Sequence, residues 1–140
     1  MTGKSGWDER YSGSEYHYGT EPNAFLVEHC NLLQSPVLSL SEGEGRNAVF
    51  LAKKGFDVLG VDFSAIGLEK ARQLAQAEQV QIRTEVADMA GYAPQANHYG
   101  AVVSIFAHYS GTVRARLYPL IEQALKPGGI FLLEAYTEAQ

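Results

Sequence analysis

From residue 36 onward, short apolar runs alternate with stretches of helical period. Pro36-Val-Leu-Ser-Leu-Ser41 reads as a strand running into a glycine-containing loop, and Asn47 to Lys54 as a helix closed by Gly55. Asp57 to Asp62 gives the next strand. Ser64 is placed to cap a helix whose Leu68, Ala71, Leu74 and Ala75 share one face. Val80 to Val86 and Gly100 to Phe106 read as the third and fourth strands. A helix over Thr112 to Leu125 turns Val113, Leu117, Leu120, Ile121 and Ala124 inward. Lys126-Pro-Gly-Gly129 stops it, and Ile130 to Tyr136 is a fifth strand. Strands with little polar alternation, separated by helices, predict an α/β fold with a parallel sheet covered on both faces. The first 23 residues differ, with Trp7, Tyr11, Tyr16 and Tyr18 set among Gly, Ser and Glu ahead of a helix over Asn23 to Leu33.

Composition narrows the class. A chain of 140 residues with 46% hydrophobic and 19% charged residues suits one globular domain over 1–140, with 1–23 as an aromatic lid segment and 24–140 as the core. No apolar run approaches the roughly 18 residues of a membrane span. The N-terminus has no apolar stretch after its charges, so the expectation is a cytoplasmic protein without a secretory signal. A formal net charge of −5 with no Lys/Arg block disfavours nucleic acid as a partner. The single cysteine, Cys30, has no disulfide partner and reads as a buried thiol; His17, His29 and His98 show no metal spacing, so no metal is expected.

The chemistry concentrates in the loop after the first strand, Ser41-Glu-Gly-Glu-Gly-Arg-Asn-Ala48. Gly43 and Gly45 allow a ligand close to the backbone, and Asp62, 17 residues beyond Gly45 at the end of the second strand, is placed to accept ribose hydroxyls. Gly43-x-Gly-x-x-Ala48 also fits a dinucleotide fingerprint. Charge separates the two readings. Glu42 and Glu44 flank Gly43 where a pyrophosphate dianion would sit, whereas the sulfonium and ammonium of S-adenosylmethionine (SAM) are positive. An NAD-binding oxidoreductase is therefore the weaker alternative.

At these residues the sequence resembles the class I SAM-dependent methyltransferases. Val37 to Asn47 looks like their glycine-rich first motif, Val61-Asp-Phe-Ser64 with Leu68-Glu-Lys-Ala71 like the second, and Glu85-Val-Ala-Asp-Met89 like the third. Leu125-Lys-Pro-Gly-Gly-Ile-Phe-Leu-Leu133 is similar to the turn and strand that complete the sheet. Within the class, Trp7-x-x-x-Tyr11, Tyr18-Gly-x-x-Pro22 and Gly45-Arg-Asn47 resemble the tellurite-resistance and thiopurine methyltransferase-like group. The resemblance implies a Rossmann-like α-β-α sandwich with strand order 3-2-1-4-5. It implies a cofactor site of Ser41, Glu42, Gly43, Gly45, Asn47, Asp62, Phe63, Asp88, Met89 and Ile105, and a substrate pocket walled by Trp7, Tyr11, Tyr18 and Tyr109. Three positions depart from the family pattern. Its acid falls at Ser39 and its first glycine at Ser41, so Glu42 or Glu44 is left to supply the missing charge. Gly100 stands where many relatives carry Asp.

Methyl transfer from a sulfonium is an in-line displacement, so the protein mainly aligns the reactants and excludes water. His108, just beyond the fourth strand, is the best-placed candidate base, with lining the pocket as its alternative role. The resemblance implies a small-molecule acceptor such as a chalcogen oxyanion or a thiol. The family usually adds a helix and an antiparallel strand pair after the fifth strand, and this sequence stops at Gln140. Two expectations follow: a homodimer through an exposed apolar sheet edge, and, as a second functional reading, a non-catalytic SAM-binding module.

Overall fold

The computed structural model describes residues 19–135 apart from 42, 106 and 108. Trp7, Tyr11, Tyr18, Glu42 and His108 lie outside the described residues. Five strands, β1 (Val37–Leu40), β2 (Val58–Asp62), β3 (Arg83–Val86), β4 (Tyr99–Ile105) and β5 (Leu125–Glu134), form one parallel sheet in the order β3-β2-β1-β4-β5. Among the described residues four α-helices accompany it: α1 (Ala24–His29), α2 (Arg46–Lys53), α3 (Ala65–Ala77) and α4 (Gly111–Ala124). This is the expected Rossmann-like topology.

Alternation along the central strands splits the core between the two faces. Val37, Val58, Ala101 and Val103 pack with Leu26 of α1 and with Ala48 and Leu51 of α2. Leu38, Leu40, Val61 and Val102 pack with Leu117, Ile121 and Ala124 of α4. The connection from β3 to β4 carries no helix, and Met89 and Tyr92 from it complete that second face. Each fully buried leucine contributes on the order of 2 kcal/mol, so the apolar runs read from sequence supply the main cohesion. Both caps that organise the site are local. The Ser64 hydroxyl accepts from the Gly67 N–H at 3.0 Å to start α3, and Asn23 accepts from the Leu26 N–H at 2.9 Å to start α1.

Three boundaries differ from the sequence pattern. The helix expected over Asn23 to Leu33 ends at His29 and tightens into a 3₁₀ turn over Cys30–Leu32. Val80 and Ile82 do not pair; they pack against Val49, Leu74 and Ala75 to close the end of α3, and β3 begins at Arg83. Lys126 to Gly129 does stop α4, but extended structure starts at once, with Leu125 opposite Tyr99 and Ile130 opposite Ala101. The four residues between are accommodated by that register shift, with Gly128 at φ 81°. Position 100 has its own reason to be glycine here. A Cβ there would collide with the Gln34 backbone, while the Gly100 N–H donates to the Pro36 carbonyl at 2.9 Å. An aspartate could not fit without moving that segment.

The loop between β1 and α2 is held down on α3. Gly45 caps α2 at φ 95°, and a Cβ on it would come within 2.6 Å of the Ala71 Cβ. Next to it, Glu44 (6% exposed) forms an ion pair with Lys70 of α3 (7% exposed) at 2.5 Å. Removing one partner of so buried a pair leaves an uncompensated charge. Lys70→Ala is therefore expected to lower the unfolding free energy by about 3–5 kcal/mol. The joint change Glu44→Gln with Lys70→Met should cost far less; urea denaturation of the two variants measures the contrast.

Candidate functional site

Because β1 lies between β2 and β4, the chain leaves it in one direction and returns on its other side. A crevice at the C-terminal ends of the strands results, and ligands of such sheets bind there. The loop that borders it has three left-handed residues, Ser41, Gly43 and Gly45, at φ 52°, 66° and 95°. This geometry turns the Gly43 N–H onto Asp62, the last residue of β2. Asp62 Oδ2 accepts from Gly43 N–H at 2.9 Å and Oδ1 from Ser64 N–H at 3.0 Å. The carboxylate is 5% exposed. A carboxylate oxygen accepts more than one hydrogen bond, which is the chemistry a ligand's hydroxyl donors require.

Around Asp62 the surface turns apolar. Val86, its register partner on β3, is 53% exposed, and Ile66, in the first turn of α3, is 41% exposed. Phe63 and Ile105 are half-buried at the ends of β2 and β4. Asp88 follows β3 in a tight turn, with its Oδ1 accepting from the Ala90 N–H at 2.9 Å. The Met89 side chain is buried in the core, and its carbonyl accepts from Arg116 Nη1 at 3.3 Å. Ser41, Gly43, Gly45, Asp62, Phe63, Asp88 and Ile105 are thus all at or just past strand C-termini.

Two sequence-predicted residues are engaged within the protein. Asn47 is buried and its Oδ1 accepts from the Asn23 N–H at 2.9 Å, while Asn23 Nδ2 donates to Glu134 Oε1 at 2.9 Å. Glu44 pairs with Lys70, so its charge is matched within the protein, and of the two flanking carboxylates Glu42 lies outside the described residues. Lys70 does have a signal in the sequence for its inward placement. It lies three residues after Gly67 and four before Leu74, so helical spacing already placed a cation on the inward face. Nothing in the sequence marked Glu134 or the contact between Ser41 and Tyr109.

In that contact the Tyr109 hydroxyl meets Ser41 Oγ at 2.6 Å, across the mouth of the crevice. Burial pushes the Tyr109 phenol up to about 12, with the bond to Ser41 opposing and the charge of Asp62 adding to the rise. A phenol raised in the folded state contributes stability that is present below its unfolded value near 10. That contribution is lost as pH climbs through the folded value. The protein is therefore expected to lose stability between about pH 10 and 12, and Tyr109→Phe should flatten part of that decline in denaturation midpoints measured across the range.

Similarity to known proteins agrees with the geometry. Residues 37–129 match the family described as a methyltransferase domain. No curated protein sequence matches the chain. Among solved structures, an S-adenosylmethionine-dependent methyltransferase from Mesorhizobium loti is 32% identical, with a TM-score of 0.60 over 68% of this chain and 44% of that one. A TehB-like SAM-dependent methyltransferase from Corynebacterium glutamicum is 26% identical, with a TM-score of 0.56 over 67% of this chain and 52% of that one. Magnesium protoporphyrin IX methyltransferase from Synechocystis, solved with bound SAM, is 27% identical, with a TM-score of 0.58 over 72% and 50%. The chain spans about half the length of these structures. With its domain match extending from the first residue of β1 into the turn within β5, the chain belongs to the methyltransferase domain family.

Proposed function

We propose that the chain binds S-adenosylmethionine at the C-terminal ends of β1, β2 and β3 and presents its methyl group to a small-molecule acceptor. The carrying observation is the Gly43–Asp62 bond at the switch point of the sheet, which fixes a ligand-accepting carboxylate beside a glycine loop. The residues fit the cofactor. Asp62 would accept the ribose hydroxyls, and the exposed Val86 and Ile66 offer apolar contact to an adenine, with Phe63, Asp88, Met89 and Ile105 around it. Ser41, Glu42, Gly43, Gly45 and Asn47 would border the methionyl end. When bound, the cofactor supplies an electrophilic methyl group on a sulfonium; this chain's residues hold it in line with the acceptor and keep water away.

His108 is the proposed base for acceptors that carry a proton, and Trp7, Tyr11, Tyr18 and Tyr109 the proposed pocket wall. The N-terminal motifs and the TehB-like neighbour support the tellurite-resistance and thiopurine methyltransferase-like group, hence a chalcogen oxyanion or thiol as acceptor.

Titration with S-adenosylhomocysteine by calorimetry is expected to show micromolar binding, about −8 kcal/mol, with none for NADH. Asp62→Asn should weaken it about tenfold or more. Absence of binding by the folded protein would overturn the proposal; binding without turnover of any acceptor would reduce it to a SAM-binding module. Self-association through β5, the sheet edge on which Leu133 is exposed, belongs to the same proposal. Sedimentation velocity should reveal a concentration-dependent dimer, and a monomer at every concentration would remove it.

A further inference from the structure

Ser41 is a β-substituted residue in a conformation that favours glycine. At φ 52° its Cβ crowds the neighbouring carbonyl, and nothing about a serine side chain removes that cost. It also stands at the first glycine position of the loop motif, where no such cost would arise. The turn at residue 41 nonetheless has to hold, because Gly43, close after it in the chain, aims its N–H at Asp62.

Tyr109 is built as a fixed post beside it. It packs, partly buried, against the core cluster on the α4 face of the sheet. Its carbonyl accepts from Arg114 Nη1 at 2.5 Å, and the next residue, Ser110, caps α4 by accepting from the Val113 N–H at 3.2 Å. The phenol therefore reaches Ser41 Oγ from an anchored base. It is neutral at physiological pH, so it can share a proton with the serine without bringing charge to the crevice.

We propose that Tyr109 is a positioning residue for the cofactor loop, its hydrogen bond to Ser41 holding the left-handed turn that presents Gly43 to Asp62. The role rests on the S-adenosyl reading of this site and adds to it a dependence between two loops. Tyr109 matters to cofactor affinity because residue 41 is a serine, and a glycine at 41 would make the phenol dispensable.

The test is a double-mutant cycle of Tyr109→Phe and Ser41→Gly, read in two ways: urea unfolding without ligand, and calorimetric affinity for S-adenosylhomocysteine. Tyr109→Phe keeps the ring and so spares the core. In the native background it is expected to lower the urea midpoint and to weaken the ligand about tenfold, the equivalent of one lost hydrogen bond. In the Ser41→Gly background both effects should shrink, the second to less than about twofold. Equal losses in both backgrounds would overturn the proposal, since Tyr109 would then act on the ligand or the core directly. Coupling in the urea data with no change in affinity would also overturn it, leaving a purely structural bond. If none of the four proteins binds S-adenosylhomocysteine while each is folded, the cofactor reading fails; the urea cycle then still decides whether the bond holds the turn.

Discussion

A nearly buried carboxylate that accepts two backbone N–H groups organises the whole C-terminal edge of the sheet. Asp62 joins the β1–α2 loop, through Gly43, to the start of α3, through Ser64. Burying a carboxylate is costly unless its oxygens are satisfied, and backbone donors satisfy it in fixed directions. The arrangement therefore demands that the loop return close to β2, and the glycines make that return possible. Where the loop presses against α3, there is room at residue 45 for a hydrogen and for nothing larger. The Glu44–Lys70 pair fastens the same junction from below.

These contacts share a purpose: none lies within the sheet, yet together they hold the ends of two parallel strands, β1 and β2, in one orientation. The proposed methyl transfer, which works by alignment, would need that rigidity more than reactive side chains. The acids here accordingly spend part of their capacity on backbone N–H groups and on a lysine. What is left for a ligand is a set of oriented lone pairs and a modest apolar shelf.

Periodicity made the sheet legible. Continuous runs such as Ala101-Val-Val103 could be buried only between two helical layers, and Ser64 announced its helix by chemistry alone. The site was legible where backbone geometry dictates residue type, as at Gly43, Gly45 and Asp62. It was not legible where two distant side chains meet. Glu44 reads as a charge turned to the cofactor until Lys70 is brought against it, and nothing in the sequence announces the bond between Asn47 and Asn23. Lys126-Pro-Gly-Gly129 misled for another reason: turn chemistry describes the kink but not that Leu125 already pairs with Tyr99.

The bond from Asn23 to Glu134 spans 111 residues of sequence. Asn23 caps α1 and is held by Asn47, so the first helix of the described chain takes its final seat against the last strand. A contact this distant forms late, since the intervening chain must first be ordered to bring its ends together. On a ribosome the residues around Asn23 emerge well before β5, so this one bond can close only after the strands and helices between its partners are made. At this bond the order of synthesis and the order of assembly thus run opposite ways: the residue made first is the one whose last partner arrives at the end.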